Sequence, residues 1–174
     1  LWDALANYDF DYDFIKDLPK GEKNRLEGYL FPDTYDFYVD DKPENAIVRF
    51  LDNFDKKFTD DMKKLVSDSG YSMHEIITVA SLVEKEAKLA DEQSVIAGVI
   101  YNRLKNSASY PYLQIDATIQ YVVGYDKKLT SDDLKIDSPY NTYTNRGLPP
   151  GPIANPGQGA ILAALNPDKH SYYY

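Results

Sequence analysis

Apolar residues recur along much of this chain at three- and four-residue intervals, the period of an amphipathic helix. The pattern is densest between Ser72 and Lys88. Ile76, Val79, Ala80, Val83 and Ala87 make one stripe, and Ile77 and Leu82 widen it well past a single face. Only Thr78, Ser81, Lys85 and Lys88 are left as a narrow polar strip. A helix so apolar around its circumference is expected to be buried on most sides. Ser72 followed by Glu75 reads as a capping box, which fixes the helix start. Upstream, Pro43-Glu44 opens a long amphipathic helix carrying Ile47, Phe50, Leu51, Phe54 and Phe58. Its pattern resumes at Met62, Leu65 and Val66 and stops at Gly70. Downstream, Asp91 is a candidate cap for a helix carrying Val95, Ile96, Val99, Ile100 and Leu104.

Outside these helices the pattern changes. Leu26–Val39 is dense in aromatic and β-branched residues and is broken by Gly28 and Pro32, so it predicts short extended pieces. Tyr112–Val123 predicts a strand running into a brief helix or a second strand, and Thr130–Leu134 a turn or two of helix. From Ser138 to Gly159 prolines and glycines predict a long loop, a kind of segment that is usually functional inside a compact domain. Asn155-Pro156 predicts the start of a last helix through Ala160, Ile161, Ala164 and Leu165, closed by Asn166-Pro167. Residues 1–25 read as an acidic, irregular lead-in, with Asp9–Asp13 alternating like a strand or the tail of another module. The expected fold is α+β. It has three substantial helices, the central one buried, with short antiparallel strands from 26–39 and 112–123 flooring a groove and the Pro/Gly-rich loop bordering it.

Composition narrows the function. A net charge of −9 over 174 residues argues against nucleic acid, whose binders need a basic face. With no cysteine there is neither a disulfide framework nor a thiol nucleophile. His74 and His170 stand alone, without ligand-spaced partners, so neither a metal nor any other cofactor is expected and a Ser-His-Asp triad is not supported. No apolar run approaches the roughly 18 residues that cross a bilayer. Sixteen tyrosines suit the rim of a core, with a minority free to stack against sugar rings.

The candidate chemistry lies at the margins of the central helix, where Glu84 flanks Ile77 and Ala80 and Glu86 flanks Val79 and Leu82. A carboxyl on the edge of an apolar arc has its pKa raised if it is desolvated, as a general acid near neutral pH requires. Both could equally be solvated residues supported by neighbouring lysines. Helix geometry leaves the choice between Glu84 and Glu86 open.

Four segments, in order, resemble the YceG-like family of endolytic murein transglycosylases. They are Leu26-Glu-Gly-Tyr-Leu-Phe-Pro-Asp-Thr-Tyr35, Ala80-Ser-Leu-Val-Glu-Lys-Glu-Ala87, Val99–Leu104 with Leu113–Thr118, and Tyr140–Gly157. The resemblance covers residues 26–174 and departs in having Ala117 where proline is common. It implies an enzyme that cuts peptidoglycan between N-acetylmuramic acid and N-acetylglucosamine and leaves a 1,6-anhydro end. It assigns the catalytic role to Glu84. It also implies a membrane-anchored protein outside the cytoplasm, with a LysM-like module ahead of the catalytic part. On this reading residues 1–25 are the tail of that module or a lead-in, and the catalytic domain continues past Tyr174. Peptidoglycan glycan strands are the expected partner, with cell-wall synthases beside them. A lytic enzyme needs one carboxyl, because the muramyl 6-hydroxyl supplies the nucleophile. Tyr29, Asn102, Arg103, Gln114, Asp116, Tyr140, Asn141, Thr142, Tyr143 and Arg146 are the candidates to line the sugar cleft. Two rival readings stand beside this one. One is a non-catalytic glycan-binding or scaffold module. The other is a hydrolytic muramidase with Asp116 or Glu27 as a second carboxylate.

Overall fold

The computed structural model describes residues 1–174, and every regular element in it is helical. The seven helices are α1 (Trp2–Asn7), α2 (Pro43–Lys57), α3 (Asp60–Ser69), α4 (Met73–Glu86), α5 (Gln93–Lys105), α6 (Asp116–Val123) and α7 (Gln158–Leu165). Single 3₁₀ turns sit at Ala90–Glu92 and Asp133–Lys135. No helix is long and apolar enough to cross a membrane.

The α+β expectation is therefore corrected, because neither anticipated pair of strands exists. Residues 23–29 are consecutive turns whose N–H groups find partners three residues back: Arg25 to Glu22, Glu27 to Asn24, Tyr29 to Leu26. The aromatic residues that made this stretch look extended instead pack sideways onto α2. Tyr35 meets Phe50 at 4.5 Å between ring centroids, and Tyr29 meets Phe54 at 5.3 Å. In 112–123, Leu113 and Ile115 are buried on either side of exposed Gln114, but the φ of +55° at Gln114 rules out a strand there. From Asp116 the chain is helix, and Ala117, Thr118 and Ile119 are all buried, which period two does not allow. Residues 1–7 also hold a helix in place of the irregular lead-in. Ala4, Leu5, Phe10 and Ile15 join the same core cluster as α2 and α4.

The helical expectations fare differently. Gly70 closes α3 in the left-handed conformation, and Thr59 caps its start by accepting from the Met62 N–H. Asp91 is not a cap; it sits inside the 3₁₀ turn that leads into α5. The last helix begins at Gln158, with Gly157 as its cap, two residues beyond the Asn-Pro signal.

Helix α4 is the axle of the molecule, packed against α3, α5, α6 and α7. Its capping box is formed on both sides: Ser72 Oγ accepts from the Glu75 N–H and Glu75 Oε2 accepts from the Ser72 N–H. Every residue from Ile76 to Val83 is buried, so each of the five large aliphatic side chains contributes about 1.5–3 kcal/mol of burial. The expected polar strip is inside the protein at Thr78 and Ser81. Thr78 Oγ1 donates to the His74 carbonyl (2.7 Å), and Ser81 Oγ donates to the Thr78 carbonyl (2.7 Å). Ser81 Oγ also accepts from the Ile153 N–H at 3.0 Å, which pins the 151–157 loop to the axle. Ser81→Ala leaves that buried N–H without a partner and lowers stability by about 1–3 kcal/mol in a urea melt. A loss within 0.5 kcal/mol would mean that water replaces the hydroxyl.

Candidate functional site

The two glutamates near the end of α4 are two residues apart, about 200° around the helix, so they serve opposite sides. Glu84 is half-buried and turns toward α7, where its Oε2 accepts from the Gly157 N–H at 3.1 Å. It thus ties α4 to the capping residue of the last helix. Glu86 is the last helical residue, just before Ala87 turns extended. It lines a cavity of about 280 Å³ with Arg103, Gln114, Tyr173, and an apolar wall that includes Val95, Val99 and Ile115. Solvent still reaches Glu86, yet the protein crowded around its carboxyl pushes the pKa above the usual value. The Asp116 charge pushes in the same direction, and the Ala117 N–H, aimed at the carboxyl, offsets part of the rise.

Several predicted residues meet here. The Tyr143 hydroxyl donates to Asp116 Oδ1 at 2.5 Å, and the Tyr143 phenol is pushed up by burial first and by that carboxylate second. Gln114 is exposed and is the one non-glycine residue with positive φ, +55°. An L-residue in this region marks backbone that the surroundings force. The surroundings are identifiable. The Gln114 N–H donates to the Thr142 carbonyl at 3.0 Å and the Ile115 N–H to Thr142 Oγ1 at 3.0 Å. Arg103 is buried, and its guanidinium donates to the carbonyls of Leu113 (2.7 Å), Tyr112 (3.2 Å) and Tyr173 (2.7 Å), reaching Gln114 Oε1 at 3.4 Å. Arg103 and Thr142 therefore build the wall that presents Gln114 and Asp116 beside Glu86.

The other predicted residues lie elsewhere or are occupied. Asn102 donates to the carbonyls of His170 and Tyr172 and holds the C-terminal segment. Asn141 is wholly buried, donating to the Leu134 and Ile136 carbonyls and accepting from the Tyr143 N–H, so it shapes the loop. Tyr29 is buried against Phe54, and its hydroxyl meets His74 Nδ1 at 3.0 Å. His74 Nε2 faces the Pro150 carbonyl at 3.1 Å, an acceptor, so Nε2 carries the proton and Nδ1 accepts from Tyr29. Tyr140 packs at a tilt against Tyr121, 4.9 Å between ring centroids, some distance along α6 from Glu86. Arg146 is exposed on the loop. The apolar pattern of Val95, Ile96, Val99 and Ile100 predicts only the inner face of a helix, and nothing in the sequence gives Tyr173 a role; all five line the cavity.

A second carboxyl is raised by burial alone, that of Glu27, whose Oε1 accepts from Asn155 Nδ2 at 3.3 Å. Asn155 Oδ1 in turn accepts from the Gly28 and Leu30 N–H groups, at 2.8 and 3.1 Å, joining the 24–30 turns to the 151–157 loop. Because folding raises this pKa, the folded chain holds the proton more tightly than the unfolded chain. Stability is greatest below the usual value of 4.5 and falls as pH rises from there through the raised value. Glu27→Gln keeps an acceptor for Asn155 and removes the charge. Its melting temperature should exceed the parent's at about pH 8 and converge with it at about pH 4. A gap independent of pH would show that ionisation is not its cause.

Comparison with known proteins supplies a context for this geometry. The model of the YceG-like family matches residues 3–174. The chain is 43% identical over 156 residues to an endolytic murein transglycosylase of Bacillus subtilis, covering 89% of this chain and 42% of that protein. It is 36% identical over 177 residues to an endolytic murein transglycosylase of Streptococcus pneumoniae, covering 98% of this chain and 31% of that protein. Among solved structures, a yceG-like protein of Listeria monocytogenes superposes with a TM-score of 0.80 at 40% identity, covering 93% of this chain and 52% of that one. The chain thus spans less than half the length of the curated relatives it matches.

Proposed function

Since the chain belongs to the YceG-like family, we propose that it carries the catalytic part of an endolytic murein transglycosylase acting on peptidoglycan glycan strands. The two relatives bear that name, and the cavity at the end of α4 offers the chemistry. In this reading the strand lies across the cavity mouth, on the extracytoplasmic side of the membrane. Contact with cell-wall synthases belongs to the same proposal.

The reaction needs one group that gives and then takes a proton. The single observation that favours Glu86 over Glu84 for this role is its setting. Glu86 has a raised carboxyl at a cavity with Gln114 and Asp116 at its edge, while Glu84 commits an oxygen to the Gly157 N–H. Protonated Glu86 donates to the glycosidic oxygen as the bond from the muramyl anomeric carbon breaks. The resulting carboxylate takes the proton of the muramyl 6-hydroxyl, whose oxygen forms the new bond to the anomeric carbon. The leaving sugar keeps the first proton, the enzyme regains the second, and no water is consumed. Asp116, held by Tyr143, keeps a negative charge near the acid, which discourages early loss of its proton and offsets positive charge building on the sugar. Gln114 offers an amide to hydroxyl or N-acetyl groups.

Mass spectrometry of strand ends after incubation with uncrosslinked glycan tests the proposal. The expected product is an anhydro-muramyl terminus. Reducing ends would instead indicate hydrolysis, with Asp116 as the second carboxylate. Intact strands that nevertheless bind would indicate a glycan-binding module.

A further inference from the structure

Glu27 belongs to a second cavity, of about 430 Å³, which the proposed chemistry does not use. Pro139, Pro150, Pro152, Tyr140 and Asn24 line it with Glu27. Asn24 Nδ2 donates to the hydroxyls of Tyr121 (3.1 Å) and Tyr140 (3.3 Å), fixing the two rings beside Glu27. Tyr121, Tyr125 and Tyr140 all lie near enough to Glu27 for its charge to hinder their ionisation. No cation balances that charge. Arg25 lines the same cavity, but its guanidinium donates to the Tyr8 carbonyl at 2.9 Å and acts on Asp9. The Lys85 ammonium rests over the Tyr125 ring, 3.7 Å from the centroid, and leaves Glu27 unneutralised. His74 is tied to Tyr29 and Pro150, and Glu22 adds a second carboxylate at the rim.

A half-buried carboxylate without a counter-ion, walled by tyrosines and proline, suits a cation on a flexible stem. Anionic groups are repelled by Glu27 and Glu22, and a neutral sugar face has no use for the uncompensated charge. We propose that this cavity binds the primary ammonium group of the diamino acid in a murein stem peptide. The proposal rests on the transglycosylase reading for the identity of the substrate. The spacing suits it: α6 begins at Asp116 beside Glu86 and passes Tyr121 about 8 Å further along its axis. Three peptide residues hanging from the muramyl group span about 10 Å when extended.

The test is binding, measured by calorimetry on the cleavage-deficient Glu86→Gln protein, with two preparations of uncrosslinked glycan strands. One carries free stem-peptide amines, and the other is the same material with those amines acetylated. Acetylation should weaken binding to Glu86→Gln by about tenfold or more. It should have no effect on the Glu27→Gln/Glu86→Gln protein, which binds both preparations at the weaker level. Equal affinity of both preparations for Glu86→Gln overturns the proposal, as does absence of binding by either. Equal sensitivity to acetylation in both proteins also overturns it, because the amine is then read somewhere other than Glu27. None of these readouts requires cleavage, so a parent protein that fails to cut glycan refutes the enzymatic reading without deciding this one.

Discussion

Glu86→Gln should lower the rate of anhydro-end formation by about 10²–10⁴-fold, the usual contribution of a positioned acid–base group. Glu84→Gln should cost less than about tenfold. Glutamine at 84 still presents an oxygen to the Gly157 N–H, so the tie between α4 and α7 survives. Glutamine at 86 has a similar shape but cannot deliver a proton, and the Asp116–Tyr143 pair and the Gln114 wall stay in place around it. Both variants should melt close to the parent, which separates lost chemistry from lost folding. Initial rates on uncrosslinked strands, with ends counted by mass spectrometry, decide the matter. The reverse ranking, with Glu84→Gln inactive and Glu86→Gln nearly normal, would return the acid to the residue that motif resemblance alone selects.

That choice shows where sequence stops being informative. The apolar arc of α4 and the Ser72/Glu75 box are local features, and both the burial of 76–83 and the helix start follow from them. The tie between Glu84 and Glu86 is not local. It turns on which flank of α4 receives the 112–117 segment and which receives Gly157, and those contacts come from far along the chain, 73 positions in the case of Gly157. The missing strands have a similar origin. Aromatic density in 26–39 is a sign of burial only for Leu26, Tyr29 and Phe31, since Phe37, Tyr38 and Val39 are exposed; α2 supplies the packing surface, and no second strand is available to satisfy the backbone. Turns did so locally, with Asn155 taking two N–H groups from across the molecule. Asn102, Asn141 and Thr142 stand in the motif segments as polar residues suited to sugar. Three-dimensional structure spends their hydrogen bonds on backbone, so their place in the motif reflects the wall they build.

The same long-range joint gives the largest expected stability effect, at Gly28. Its φ is +90°, a conformation that costs an L-residue about 1–2 kcal/mol. A Cβ there would lie 2.5 Å from Pro152 Cγ and 2.7 Å from Ile77 Cγ2, and both neighbours are held, one by a ring and one inside the axle. Overpacking of this kind adds about 1–3 kcal/mol. Gly28→Ala should therefore lose about 2–5 kcal/mol, a large part of the stability of an ordinary domain. Its melting temperature should drop by about 10 °C, taking 2–4 °C per kcal/mol at this size. Gly21 provides the internal control. Its φ is +100°, but nothing lies within 4 Å of the site of its Cβ. Gly21→Ala should therefore show only the backbone cost, about 1–2 kcal/mol. The difference between the two variants isolates the contact with Pro152 and Ile77. Equal shifts would mean that the loop moves aside freely. In that case the Gly28 N–H bond to Asn155, at 2.8 Å, would not be rigid enough to fix Gly157 against Glu84.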